Sequence, residues 1–133
     1  PSSDISIFTA AVSDYKPSSF SNDKIKKTDK DLTIPLLRTI DILSVLASKR
    51  TEKQFLVGFA LETKDELRNA KEKLKNKDLD MIVLNSLNDR GSGFGHSTNK
   101  ITIIDRKNNI FDFELKDKSE VAKDIITKII ELY

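Results

Sequence analysis

The sequence predicts an α/β fold built around a mostly parallel sheet, and two observations support this prediction. Short apolar segments alternate with segments of helical period through the centre of the chain, an order typical of parallel strands joined by right-handed crossovers. Two further apolar segments then flank Asn108 and Asn109, which favour a turn, and a helical segment follows. We therefore expect a parallel core that ends in an antiparallel hairpin and a C-terminal helix.

The first segments predict a strand and a hairpin. Ile5–Ala11 is short, apolar and followed by turn residues, as expected for a buried strand. Lys24–Lys27 and Leu32–Leu36 are separated by four polar residues and predict the hairpin. Its apolar face would need a partner, because a two-stranded hairpin is marginally stable alone.

The central segments predict two helices and two buried strands. Thr39 or Asp41 is expected to cap a first helix that runs to about Lys49. The strands are expected at Gln54–Leu61 and Asp80–Asn85. Between them, a capping box at Thr63–Glu66 opens a helix that runs to about Lys77. The expected inward residues are Ile42, Val45 and Leu46 in the first helix and Leu67, Ala70 and Leu74 in the second.

The last segments predict a glycine-containing loop, the second hairpin and the final helix. The loop spans Ser86–Thr98, with glycines at 91, 93 and 95, and the hairpin pairs Lys100–Asp105 with Ile110–Leu115. The final helix is expected to start at Asp117 or Ser119. Its inward residues are expected to be Val121, Ile125, Ile126, Ile129 and Ile130.

Composition excludes several classes of protein. The 133 residues suit one domain, 1–133, and a net charge of +2 gives no basic field for nucleic acid. The absence of cysteine excludes disulfides and thiol nucleophiles, and the single His96 cannot build a histidine metal site. No apolar run approaches the roughly 18 residues of a membrane span, so we expect no membrane partner and a cytoplasmic location. Because the chain opens on Pro1 without an initiator Met, we expect a piece of a longer protein.

Candidate binding residues follow the predicted strands. Ala10–Asp14, Phe59–Thr63 and Asn85 each come after one strand, and ligands of open α/β sheets sit at these carboxyl ends. The four-residue spacing of Lys73 and Lys77 places both ammonium groups on one helix face, where they could reach a polyphosphate. We therefore expect a crevice of nucleotide size.

Each of these residues also has a structural interpretation. Phe59 is equally compatible with the core, and lysines near a helix C-terminus complement its dipole. Asp14 could hold Mg²⁺ or simply form a turn, and the glycine-containing loop lacks a phosphate-loop signature. Lys24 stands at a loop-to-strand boundary that allows, without requiring, a cation beside a reacting phosphate.

Six motifs in order resemble phosphopantothenoylcysteine synthetase, the C-terminal half of the bacterial DNA/pantothenate metabolism flavoprotein. They are AAVSDYKP with KIKK ten residues after Asp14, a Leu-Thr strand, an Asp-Ile-Leu helix start, LVGFALET, a Lys-rich helix ending in LDMIV-N, and GFGHSTN. The resemblance implies a Rossmann-like three-layer αβα domain, with the first hairpin serving in homodimer formation. It also implies a ligase that joins 4′-phosphopantothenate to L-cysteine with CTP and Mg²⁺ through an acyl-cytidylate. FMN would belong only to an attached decarboxylase domain.

The resemblance also implies the site residues. Lys24 would be catalytic, Asp14 would hold the metal, and the nucleotide contacts would fall on Phe8, Thr9, Ala10, Asp14, Lys24, Ile40, Asp41, Ile42, Leu43, Phe59, Lys73 and Lys77. Thr39-Ile40 replaces the family's Asn-Pro, and Leu84-Asn85-Ser86 replaces its Ala-Asn-Asp. The glycine-rich unit and substrate loop that open the family's domain have no counterpart here. The alternatives are a nucleotide-binding module without turnover and a dimerisation fragment with an empty crevice.

Overall fold

A computed structural model of the chain describes residues 3–27, 29, 31–86, 88, 91–92 and 95–133. Its elements in chain order are β1 (Ile5–Phe8), β2 (Tyr15–Pro17), β3 (Leu36–Arg38), α1 (Ile42–Ala47), β4 (Phe55–Glu62), α2 (Glu66–Asn76), β5 (Met81–Ser86), β6 (Thr98–Asn99), β7 (Ile101–Asp105), β8 (Ile110–Asp112), β9 (Lys116–Asp117) and α3 (Lys118–Leu132).

The main sheet has the order β1-β4-β5-β7-β8, which confirms the predicted α/β class. Neighbours β1, β4 and β5 are parallel, whereas β7 runs antiparallel to both of its neighbours, β5 and β8. Asn108 lies at the turn between β7 and β8 with a φ of 65°, a left-handed conformation that asparagine tolerates. The predicted second hairpin is therefore present.

Two apolar clusters lie on opposite faces of this sheet. On one face, Leu56 and Ala60 of β4 pack with Ala47 of α1 and with Ala70 and Leu74 of α2. On the other face, β4 and β5 pack against α3, through its residues Val121, Ile125 and Ile129. Side chains alternate along a strand, so β4 contributes to both clusters. The result is three layers, helix on sheet on helix.

Strand β1 differs from its prediction in length and burial. It ends at Phe8 rather than Ala11, and Ile5 and Ile7 remain 37% and 39% exposed. The reason is its position at the edge of the sheet, where it pairs with β4 alone among the described residues. Its other edge therefore carries unpaired backbone groups.

The first predicted hairpin is wrong in its pairing. Lys24–Lys27 has no strand, and β3 pairs instead with β2, Tyr15 opposite Arg38 and Pro17 opposite Leu36. Three of the four residues in Lys24–Lys27 are lysines, which are depleted in strands, so the segment lacks the apolar pattern that would hold it in a ladder. The predicted turn includes residues 28 and 30, which lie outside the described part of the chain.

Helix α1 starts after Asp41, one of the two predicted caps, and ends at Ala47 rather than Lys49. Its inward side differs in part from the prediction. Leu43 packs against the core, Ala47 is buried and the predicted Leu46 is half-buried, whereas Ile42 and Val45 are exposed. The inward residues follow the three- and four-residue spacing of a helix, so the prediction is wrong for Ile42 and Val45.

Two other helix details are corrected. The capping box of α2 does not form: its cap is Asp65 without a side-chain bond, and Glu66 accepts a hydrogen bond from Ser86 Oγ at 2.7 Å instead. Because that carboxylate contacts the end of β5, it cannot reach back to the helix start. Three predicted inward residues, Leu67, Ile126 and Ile130, are exposed. No described helix is long and apolar enough to cross a membrane.

Candidate functional site

The site begins where β1 stops beside the longer β4. Phe8, the last residue of β1, lies opposite Gly58, halfway along β4. Thr9 and Ala10 therefore leave the sheet next to the second half of β4 and are exposed. This step in the sheet is the carboxyl end of a parallel strand, the predicted place for a ligand.

The β2–β3 ribbon brings the loop after β1 to the start of α1. Thr39 N donates to Asp14 O at 2.9 Å, and Thr39 Oγ1 donates to Ser13 O at 2.6 Å. The chain continues from Thr39 through Ile40 into the cap of α1. Asp14 and the Ile40–Leu43 segment, which are far apart in sequence, thus lie on the same side of the site.

Asp41 joins α1 to α2. Its Oδ2 lies 2.8 Å from Lys77 Nζ, and its Oδ1 accepts the α1 cap bond from Ser44 N at 3.1 Å. The hydrogen bond from Lys77, together with those from Ser44, lowers the pKa of Asp41 to about 2, against a smaller opposing effect of burial. The carboxylate is therefore ionised at neutral pH.

Lys73 lies one turn before Lys77 and is half-buried. Its Nζ donates to the backbone oxygen of Phe59 at 2.7 Å. Burial lowers the pKa of Lys73, and the nearby Lys77 lowers it further, whereas the carboxylates of Glu62, Asp41 and Asp14 raise it. Lys73 is therefore within electrostatic range of a second ammonium group and of three carboxylates.

The predicted residues therefore divide into two groups. Asp14, Asp41, Lys73 and Lys77 come together. Lys24 does not join them within one chain: it is exposed in the segment between Ser18 and Pro35, and no hydrogen bond or ion pair engages it in the described residues.

Phe59 contributes to this site through its backbone. Its ring packs with the apolar cluster on the α3 side of the sheet, whereas its carbonyl oxygen accepts from Lys73 on the α2 side. The side chain thus has the core position that the sequence left open. Phe8 and Leu43 pack against the other cluster, while Ile40 and Ile42 are exposed.

One feature of the site was missed from the sequence, because the Phe59 carbonyl carries no sequence signal at all. Glu62 was within the Phe59–Thr63 range that the sequence analysis named, and it is half-buried at the end of β4 and influences Lys73. Asn85, by contrast, was expected at the site, yet its Oδ1 accepts from the buried Asn99 at 3.0 Å.

Asp14 is the only described metal candidate that the sequence named. No hydrogen bond or ion pair within the described residues engages its carboxylate, and those residues contain no group of three possible metal ligands. Mg²⁺ is usually held by one or two carboxylates together with substrate phosphates, so Asp14 fits that role if a nucleotide supplies the other oxygens.

A separate groove lies on the far side of α2. It has a volume of about 570 Å³ and runs between α2 and the β7–β8 turn, with Lys71, Lys75 and Arg106 among its lining residues. Lys71 and Lys75 thus line a different surface from Lys73 and Lys77. They provide internal controls for any test of the site.

Similar proteins place the chain in a family. Residues 1–133 match the family described as DNA/pantothenate metabolism flavoprotein C-terminal domain. The chain belongs to this family. A Bacillus subtilis member, "Coenzyme A biosynthesis bifunctional protein CoaBC", is 42% identical over 130 residues, which cover 98% of this chain and 32% of that protein.

Two further matches agree with this membership. A protein from an unknown prokaryotic organism, called "Cysteine/Cysteine sulfinic acid decarboxylase", is 57% identical over 97% of this chain and 36% of its own length. The crystal structure of the C-terminal domain of a CoaBC protein superposes with a TM-score of 0.73 and 33% identity, covering 96% of this chain and 54% of that one. The chain thus spans about a third of the length of these curated relatives.

Proposed function

We propose that this member of the family supplies the nucleotide-binding part of a phosphopantothenate–cysteine ligase of coenzyme A biosynthesis. The observation that carries the proposal is that Lys73 and Lys77 are both held in place, by the Phe59 carbonyl and by Asp41, with the Asp14 carboxylate within electrostatic range of Lys73. Two fixed ammonium groups suit a polyphosphate, and a free carboxylate suits its Mg²⁺. The family membership and the identity with CoaBC support coenzyme A biosynthesis as the setting.

The proposed reaction uses CTP and no protein nucleophile. A carboxylate oxygen of 4′-phosphopantothenate attacks the α-phosphorus, the bond to the β-phosphate oxygen breaks, and pyrophosphate leaves. The amine of L-cysteine then attacks the acyl carbon of this acyl-cytidylate, CMP leaves, and the amide nitrogen loses a proton. Such chemistry depends on positioning and on cations where charge develops, so a chain without cysteine is compatible with it.

The residues have different proposed roles. Lys73 and Lys77 bind phosphate oxygens, and Mg²⁺ bound with Asp14 would neutralise further charge on the triphosphate. Phe8, Thr9, Ala10, Ile40, Ile42 and Leu43 line the nucleoside side of the crevice. Lys24 acts on the reacting phosphate. Because Lys24 does not join the other site residues in the described conformation, its segment must move, or Lys24 must reach the site of another copy of the chain.

Two properties of the whole protein belong to the same proposal. FMN would bind only to a decarboxylase domain, if the whole protein carries one outside these 133 residues. The ligase substrates are metabolites of the cytoplasm, where we place the chain.

The activity is tested by pyrophosphate release. We expect the 133 residues alone to release little pyrophosphate from CTP with 4′-phosphopantothenate and cysteine, because the family's substrate-loop motif has no match in this sequence, and misplacement by about 1 Å can cost on the order of 100-fold. Adding a glycine-rich synthetase segment in trans should restore release. Equal turnover with and without that segment would contradict the proposal that this chain supplies only the nucleotide-binding part of the site. Binding of CTP without turnover in either case would favour a non-catalytic module.

A homodimer is also proposed, through the segment Lys24–Leu36. Ile25, Leu32, Ile34 and Leu36 are between 55% and 66% exposed within one chain. Clustered apolar side chains of this kind mark an interaction surface.

Ile34→Asp is expected to produce monomers, because it places a charge on this surface. The measurement is sedimentation velocity, with Ile130→Asp as the control, since Ile130 is 71% exposed on α3. Dissociation by the control but not by Ile34→Asp would place the interface on α3.

A further inference from the structure

Asp41 is engaged by its own chain on both carboxylate oxygens. Oδ1 accepts from Ser44 N, and Oδ2 accepts from Ser44 Oγ at 2.8 Å and from Lys77 Nζ at 2.8 Å. The Asp14 carboxylate, in contrast, has no such partner in the described residues. The Asp14 carboxylate is therefore available to a ligand, whereas the Asp41 carboxylate is occupied by contacts within the chain.

These contacts make Asp41 unsuited to direct contact with a phosphate. It is an anion that already accepts hydrogen bonds on both oxygens from its own chain, so a second anion would be repelled. Lys77, however, has three N–H donors, and the bond to Asp41 uses one of them. The remaining donors stay available to a ligand while the side chain is held in one place.

The two lysines of the site are held by different means. Lys73 is anchored by a neutral group, the Phe59 carbonyl, and is half-buried. Lys77 follows the end of α2, and its side-chain partner among the described residues is Asp41. The Asp41 charge also offsets the repulsion between the two ammonium groups, because it favours protonated Lys73 whereas Lys77 disfavours it.

We propose that Asp41 is a positioning residue that fixes Lys77 for the polyphosphate of the bound nucleotide. This inference rests on the proposed function. It assigns Asp41 a role through Lys77, in place of the direct nucleotide contact expected from the sequence. Anchoring a long side chain before binding removes part of the entropy that the complex would otherwise lose.

The test is a double-mutant cycle with Asp41→Asn and Lys77→Ala, read as the dissociation constants of CTP–Mg²⁺ and cytidine by calorimetry. Asparagine caps helices as well as aspartate, so α1 should persist while the ion pair is lost. We expect Asp41→Asn to weaken CTP binding about tenfold and to leave cytidine binding unchanged. In the Lys77→Ala background the same substitution should have no further effect.

Other results would overturn the inference. If Asp41→Asn tightens CTP binding, in the unmodified chain or in the Lys77→Ala variant, Asp41 only repels the phosphates. If Asp41→Asn weakens cytidine binding as much as CTP binding, Asp41 only supports the fold. Asp65→Asn is the control, because Asp65 is also the residue before a helix and pairs with a basic residue, but with Arg68 rather than with a lysine of the site. If the unmodified chain binds CTP but the cycle shows no coupling, the inference fails alone. If the unmodified chain does not bind CTP, the proposed function fails with it.

Discussion

Replacing Arg50 by alanine is expected to lower the free energy of unfolding by about 3–5 kcal/mol, the cost typical of breaking a buried ion pair from one side. The Arg50 side chain is 11% exposed and bonds to Asp80, which is 16% exposed. Its second nitrogen lies 3.2 Å from Asp78. Removing the guanidinium would leave the Asp80 carboxylate buried near the start of β5 without its main partner.

The position of Asp80 makes this loss costly. Its Oδ2 also accepts from Leu56 N of β4 at 2.8 Å, and its backbone oxygen accepts from Arg106 N at 2.9 Å. The acid thus ties β4, β5 and the β7–β8 turn at the end of the sheet opposite the site. Arg106 Nε lies 3.6 Å from Asp80 Oδ1, so in the Arg50→Ala variant it would replace only part of the lost interaction.

Urea unfolding measures this effect against a matched control. Arg68 also pairs with an acid, Asp65 at 2.7 Å, but both side chains are more than 60% exposed. We expect Arg68→Ala to change stability by less than about 1 kcal/mol, as is usual for exposed pairs. Similar small losses for Arg50→Ala and Arg68→Ala would show that the Arg50 network does not hold the sheet together.

The joint replacement of Lys73 and Lys77 by alanine is expected to weaken CTP binding by roughly 100-fold or more. A hydrogen bond to a charged group contributes about 1.5–3 kcal/mol, and two such groups are lost. Cytidine binding should fall much less, because it carries no phosphate. The measurement is calorimetric titration of both ligands with Mg²⁺ present.

The control for this prediction lies on the same helix. Lys71 and Lys75 have the same spacing but line the groove towards the β7–β8 turn. Their joint replacement removes equal charge, so it reports any general electrostatic effect on an anionic ligand. Equal weakening of CTP by both pairs, or equal loss of CTP and cytidine in the Lys73 and Lys77 variant, would contradict their phosphate role.

The sequence predicted those parts of the fold that depend on local pattern. Apolar runs predicted the positions of β4 and β5, and the asparagines at the turn predicted the β7–β8 hairpin. These predictions succeed because the pattern of a strand or a turn is contained within a few consecutive residues. The β2–β3 ribbon was not predicted, since its two strands are 18 residues apart and neither is strongly apolar. Their pairing depends on tertiary contacts such as the bonds of Thr39 to Ser13 and Asp14.

The candidate site shows the same limit. The four-residue spacing of Lys73 and Lys77 predicted that both would share a helix face, and both do reach the same cluster. Their partners could not be predicted, because Asp41 is 36 residues from Lys77 and the Phe59 partner is a backbone carbonyl. Pairings across the fold leave no periodic pattern in the sequence.

The central claim is that a nucleotide binds where β1 ends. It is tested most directly by titrating the isotope-labelled chain with CTP and Mg²⁺ and following backbone amide signals. We expect saturable shifts at Thr9, Ala10, Asp14 and Ile40–Leu43, in the half of α2 that carries Lys73, and at Lys77 directly after it, with little change at the β7–β8 turn. Shifts confined to the groove formed by Lys71, Lys75 and Arg106, or no saturable shift with CTP, would contradict the claim.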